Sequence, residues 1–187
     1  MSREIVLKVV ESLNSHAIPY MLVGSFSTNF YGTERSTKDA DLVIALGNRG
    51  IGDVFRSLGP EFRCDPQMTM ETVTGTMRYV ISHTASAFQV ELFLLSDEAH
   101  DRERFRRRLE VDYLGARVWV PTVEDAIIMK LRWSKRARRP KDEQDIVAVL
   151  AVQRSRLDLA YIRHWCDIHE SREIFERLFA ATEAKFV

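Results

Sequence analysis

Leu22-Val23-Gly24-Ser25 reads as a strand turning into a helix, and Asp39-Ala40-Asp41-Leu42-Val43-Ile44 as a second apolar strand opened by two aspartates. Side chains alternate faces along a strand, so Asp39 and Asp41 point the same way. Two carboxylates on one face repel and raise each other's pKa unless a cation lies between them. Mg²⁺ is the economical reason for such a pair, because it takes hard oxygen ligands and shares its shell with phosphates. A glycine at a strand-to-helix turn lets backbone approach a phosphate, and the helix behind it offers free N–H groups and the positive end of its dipole.

A third carboxylate stands in Ala87-Phe88-Gln89-Val90-Glu91-Leu92-Phe93-Leu94-Leu95, a buried-strand pattern broken by Glu91. A lone acid there is expensive to bury without a partner. Placed beside the strand of Asp39 and Asp41, Glu91 completes a three-carboxylate cluster. Such a cluster suits two metal ions about 3.5–4 Å apart, the arrangement that clamps an in-line phosphoryl displacement.

Gly-Ser, thirteen residues, Asp-x-Asp and a later strand with a central Glu together resemble the nucleotidyltransferase superfamily of polymerase beta and the antibiotic nucleotidyltransferases. Gly32-Thr33-Glu34-Arg35-Ser36-Thr37-Lys38-Asp39-Ala40-Asp41 is similar to the approach to the metal strand in the bacterial abortive-infection and toxin–antitoxin branch. So is Val123-Glu124-Asp125-Ala126-Ile127-Ile128-Met129-Lys130-Leu131, followed by Arg139-Pro140-Lys141-Asp142-Glu143-Gln144-Asp145-Ile146. The likeness runs from about Tyr20 to Leu150.

The resemblance implies an α+β fold, a mixed β-sheet nucleotidyltransferase core over residues 1–120 with a helical region, 121–187, packed on it. It implies an NTP as substrate with Mg²⁺ or Mn²⁺ held by Asp39, Asp41 and Glu91, and Gly24 and Ser25 on the triphosphate. Ser25 also suits a helix N-cap, and the two roles are compatible. Lys130 is expected to neutralise phosphate charge. Asp142 and Asp145, three apart on one helix face, are the candidates to order Lys130 or an arginine of the basic run over residues 132–141, with Asp145 preferred. Arg35 is a candidate contact to nucleotide or acceptor. For the acceptor the branch implies an RNA, plausibly the tRNA 3′ end, in a toxin that blocks translation and has a cognate antitoxin. Small-molecule antibiotics and protein hydroxyls are alternative acceptors, and a non-catalytic nucleotide- or RNA-binding regulator is the alternative of another class.

Composition sets looser bounds. The 187 residues are 45% hydrophobic, enough for one ordinary core and marginal for two. With 27 basic and 27 acidic residues, no global field favours a polyanionic partner. Residues 132–141 nevertheless hold six Lys/Arg and no acid: Arg132, Lys135, Arg136, Arg138, Arg139 and Lys141. That cluster is either a solvated helix end or a patch that touches RNA phosphate. Cys64 and Cys166 lack a motif, which fits free thiols in a reducing compartment. No stretch approaches the about 20 apolar residues of a spanning helix, and residues 1–5 carry no leader pattern. A cytoplasmic protein with no membrane role is expected.

Periodicity predicts helices over Ser2 to Asn14 and around Asp53 to Leu58, and a charged surface helix over Asp97 to Leu109. It predicts strands at Pro19–Val23, Asp39–Leu46 and Arg117–Pro121, and a hairpin of Thr74–His83 with Ala87–Leu95. Helices follow at Thr122–Lys135, Lys141–Gln153, Leu157–His169 and Ser171–Phe186.

Overall fold

A computed structural model describes residues 2–72, 75–113, 115–137 and 140–185. The chain divides into two compact units, Met1–Val23 with Thr37–Val120, and Gly24–Ser36 with Pro121–Val187. Sequence reasoning put 24–36 in the sheet core; here that segment goes with the C-terminal helices.

The first unit is built on a mixed sheet. Strands β1 (Tyr20–Val23), β2 (Asp39–Ile44), β3 (Phe62–Cys64), β4 (Thr69–Met70), β5 (Met77–His83) and β6 (Gln89–Leu94) lie in the order β1-β2-β6-β5-β3, with β4 also on β5. Among the described residues β2 and β6 run parallel, and the other pairs of this sheet are antiparallel. Helix α1 (Ser2–Ser15) buries Ile5, Val6, Val9, Val10 and Leu13, the stripe its periodicity requires. Helix α3 (Gly52–Ser57) joins it through Ser12 Oγ, which donates to Val54 O at 3.1 Å. Burial alternates along the start of β2, with Ala40 and Leu42 buried and Asp39 and Asp41 half-buried, so the polar and apolar faces separate.

Helix α4 (Ala99–Arg106) is shorter and more deeply set than a charged surface helix. Arg104 Nε donates to Asp101 Oδ1 at 2.7 Å, and this pairing allows both to be buried beside Phe105. Beyond it the chain forms β7 (Leu109–Tyr113), paired antiparallel with β8 (Ala116–Val120) in a separate ribbon. The Arg108 guanidinium lies 4.2 Å from the Phe105 ring centroid and 4.8 Å from that of Trp119, pinning the turn where the helix was expected to continue. Leu109, Val111 and Tyr113 alternate with Glu110 and Asp112, a period-2 signal that the surrounding charge obscured. The expected strand start at Thr74 and helix end at Phe186 lie outside the described residues.

The second unit holds α2 (Gly24–Tyr31), α5 (Val123–Ala137), α6 (Pro140–Gln153), α7 (Leu159–Ile168) and α8 (Arg172–Glu183). Its core joins Ile127, Ile128, Leu131, Ile146, Val149, Leu150, Ile162 and Phe175. Gly32 helps α2 belong here: a Cβ on it would stand 3.0 Å from Val149 N, so glycine lets the end of α2 come this close to α6 without displacing its backbone. Gln153 Nε2 donates to Tyr31 O at 3.0 Å, and Tyr31 Oη to Pro121 O at 2.7 Å.

The acidic pair at the head of α5 is structural. Thr122 Oγ1 donates to Asp125 Oδ2 at 2.9 Å while Asp125 N–H returns to Thr122 Oγ1 at 3.3 Å, a reciprocal cap. Tyr161 Oη donates to Asp125 Oδ1 at 2.8 Å. Replacing Asp125 with Ala removes the cap and the acceptor of a half-buried tyrosine hydroxyl, so a loss of about 1–2 kcal/mol is expected in denaturant unfolding.

Candidate functional site

Two groups of polar residues stand out, one in each unit. In the sheet unit, Asp41 is the register partner of Glu91 across the parallel β2–β6 pair, and Asp39 is the partner of Gln89. Paired residues in a sheet share a face, so Asp39, Asp41 and Glu91 lie on the same side. Thr37 Oγ1 donates to Asp39 Oδ1 at 2.8 Å and orients that carboxylate.

Glu91 has a cation already. Arg78 Nη1 donates to Glu91 Oε2 at 2.6 Å, with the two side chains 26% and 15% exposed. Burial pushes the Glu91 carboxyl above its ordinary range, Arg78 pulls the other way, and Asp39 and Glu71 add to the rise. Glu91 therefore contributes stability below its unfolded pKa and loses it as pH rises through the folded value. A cation over this face would relieve that cost.

Among the described residues, no group of three or more His, Cys, Asp or Glu is close enough to hold a metal ion. Of the three acids expected to hold metal, Glu91 is paired with Arg78 here. Asp39 and Asp41 still fit a hard cation, since Mg²⁺ commonly takes one or two carboxylates and fills its shell with water and phosphate oxygen. Arg78 and the buried Glu71 were missed by sequence reasoning. Arg78 left no local signal, because its pairing depends on the β5–β6 register.

In the helical unit, Gly24 opens α2 at φ +64°, a conformation that disfavours a side chain. Ser25 follows, buried. The loop after α2 is tied back by Asn29, whose Nδ2 donates to Arg35 O at 2.7 Å and whose Oδ1 accepts from Arg35 N–H at 3.2 Å. This clamp sets the Arg35 side chain against α6. Its Nε donates to Asp145 Oδ1 at 2.6 Å and its Nη2 to Asp145 Oδ2 at 2.8 Å, a bidentate fork. Nη2 also donates to Ser25 Oγ at 2.9 Å.

Lys130 completes the cluster. Its Nζ lies 2.9 Å from Asp142 Oδ1 and 2.8 Å from Asp145 Oδ2, with its side chain 10% exposed. The sequence left Asp142 and Asp145 as alternatives; both hold this lysine. Two acids and two bases balance, which is what allows Lys130, Asp142 and Asp145 to be buried together with a half-buried Arg35. Lys130 is thus paired on both sides by carboxylates of α6. Burial acts to raise the Asp145 carboxyl, but the hydrogen bonds from Arg35 and Lys130 outweigh it and hold it below the usual carboxylate range.

Part of the basic cluster is accounted for within the fold. Arg132 is buried. Lys135 Nζ meets Glu170 Oε2 at 2.6 Å. Arg136 and Lys141 are exposed, and Arg138 and Arg139 lie outside the described residues.

The family described as "Nucleotidyl transferase of unknown function (DUF2204)" matches residues 2–178. The chain belongs to this family. Comparison with curated proteins finds no match. Among solved structures, the solution structure of antibiotic-resistance factor ANT(2'')-Ia aligns at TM-score 0.56 and 15% identity, covering 98% of this chain and 95% of that one. ANT(2")-Ia in complex with adenylyl-2"-tobramycin aligns at 0.51 and 17%, covering 99% of each. An antigenic nucleotidyltransferase-like protein from Paracoccidioides brasiliensis aligns at 0.56 and 16%, covering 95% of this chain and 92% of that one. At these identities the likeness is one of fold, and it agrees with the α+β architecture. Among the described residues, no helix of this nucleotidyl transferase is long and apolar enough to cross a membrane.

Two outcomes follow from the charge cluster. Lys130→Ala leaves two buried carboxylates with one cation, so unfolding free energy should drop by about 3–5 kcal/mol in denaturant titrations. An acid whose folded pKa is depressed stabilises the fold above its unfolded pKa, about 3.9 for Asp, and loses that contribution as pH falls through the folded value. Acid unfolding of the wild type should therefore carry a component below about pH 4 that Asp145→Asn lacks.

Proposed function

We propose that this nucleotidyl transferase moves a nucleoside monophosphate from an NTP to an acceptor hydroxyl in a reaction dependent on Mg²⁺ or Mn²⁺. The placement of Asp39, Asp41 and Glu91 on one sheet face by the β2–β6 register is the observation that carries this reading. Asp39 and Asp41 would hold the cation, which supplies Lewis-acid polarisation of the phosphoryl oxygens. The acceptor oxygen bonds to the α-phosphorus, the bond from that phosphorus to pyrophosphate breaks, and the acceptor's proton leaves. Glu91, on the same sheet face as Asp39 and Asp41, is the carboxylate proposed to take that proton. Ser25 donates to phosphate oxygen, and Gly24 leaves the backbone beside it open. In this reading residues 1–120 supply the catalytic acids.

For the acceptor we favour an RNA end, the tRNA 3′ end, in a toxin-type inhibitor of translation restrained by an antitoxin. The support is the Arg35-Ser36-Thr37-Lys38-Asp39-Ala40-Asp41 approach to the metal strand, with exposed Arg136 and Lys141 as phosphate contacts. A small hydroxylated acceptor is the second reading. It is favoured by the burial of Arg132 and the pairing of Lys135, which leave little of the basic cluster for a polyanion.

The test incubates the protein with each α-labelled NTP, Mg²⁺ and either total tRNA or tobramycin. Label on the tRNA 3′ end is expected, falling at least about a hundredfold in Asp41→Ala with the fold retained. Label on tobramycin alone selects the second reading. No label on either acceptor from any NTP contradicts both.

A further inference from the structure

We infer that Arg35 is a positioning residue that orients the Ser25 hydroxyl toward a phosphate group, acting through Ser25 instead of touching nucleotide itself. This deepens the proposed function and rests on it. Arg35 spends Nε and one Nη2 hydrogen on Asp145, its second Nη2 hydrogen on Ser25 Oγ, and Nη1 on Ser36 O at 3.3 Å. A guanidinium has five N–H donors in a fixed plane, so these bonds consume most of its capacity. The fork on Asp145 also fixes that plane, and with it the direction from which Ser25 is approached.

The consequence for Ser25 comes from hydroxyl chemistry. A serine hydroxyl has one O–H donor and two lone pairs. Arginine has no acceptor, so Ser25 Oγ can only accept from it. The serine proton is then excluded from the Arg35 side and is left to donate elsewhere. Ser25 stands one residue after Gly24 at the start of α2, where backbone N–H groups already favour an anion. A proton-bearing hydroxyl polarised by a cation and turned from it is a preset donor for phosphate oxygen. Lys130 and Asp142 act one step further back. Lys130 binds the Asp145 carboxylate that holds the arginine, and Asp142 holds Lys130.

The probe is inorganic tripolyphosphate with Mg²⁺, which removes any dependence on base identity, and affinity is read by calorimetry on the full chain. Ser25→Ala should weaken binding about tenfold, the cost of one charge-assisted hydrogen bond. Arg35→Gln should weaken it by a similar factor, and the double variant should bind no more weakly than Ser25→Ala. Arg35→Lys is the second variant. It keeps the positive charge beside Asp145 and is expected to melt near the wild type, yet a lysine cannot fork Asp145 and reach Ser25 together. It too should weaken binding about tenfold in wild-type Ser25 and have no effect in Ser25→Ala. Additive losses in the double variants, or wild-type affinity in Arg35→Lys, would overturn the inference while leaving nucleotide transfer standing. Failure of the wild type to bind the probe would count against phosphate handling by Ser25 altogether, and so against the proposed function as well.

Discussion

Arg35 and Asp145 are 110 residues apart in sequence, and the fork between them closes that span with two charge-assisted bonds at 2.6 and 2.8 Å. A buried carboxylate of this kind survives only if its charge is matched, and here Arg35 and Lys130 share the work while Asp142 balances the lysine. The cluster ties the segment after α2 to α6 and sets α5 against α6 through Lys130. The apolar core around Ile127, Val149 and Phe175 supplies bulk stability, but it is indifferent to small slips along helix axes. Four paired charges are not, because any slip unpairs one of them in a poorly solvated place.

The sheet unit solves the opposite problem. Its acids share a sign, and one of them, Glu91, lies far enough inside that its charge is disfavoured. Register forces this: once Ala40, Leu42, Val90 and Leu92 turn to the core, Asp39, Asp41 and Glu91 must turn to the other face. Arg78 offsets part of the cost on Glu91. A cluster that remains expensive after the fold has done what it can is a reasonable place to look for a cation. The charge cluster of the helical unit is by contrast already paired within itself, which makes it a support for Ser25 more than a source of free positive charge.

What the sequence disclosed followed the range of each interaction. Asp39 and Asp41 were legible because strand periodicity is local, and Glu91 because an acid inside an apolar run needs an explanation. Asp142 and Asp145 were legible as a pair sharing a helix face with work to do. Lys130 was named as a partner, but Arg35 was not, since it reaches Asp145 only after α2 packs on α6 beside Gly32. Lys130 was recognised as out of place among apolar neighbours, yet burial between two acids gives it an internal role that a sequence pattern does not distinguish from a surface one. The basic run after it shows the same limit: composition marks the charges, while Arg132 and Lys135 find their places only in the folded helices. Strand β7 had its alternation in plain sight, overridden by a charged run that also suits a surface helix.

The claim on which the functional account turns is that the Asp39–Asp41 face takes a divalent cation. Mn²⁺ titration followed by electron paramagnetic resonance at neutral pH measures this directly, without NTP or acceptor. The account expects saturable binding in the wild type that Asp41→Asn removes while thermal unfolding stays cooperative. Mn²⁺ binding left unchanged by both Asp39→Asn and Asp41→Asn would contradict it.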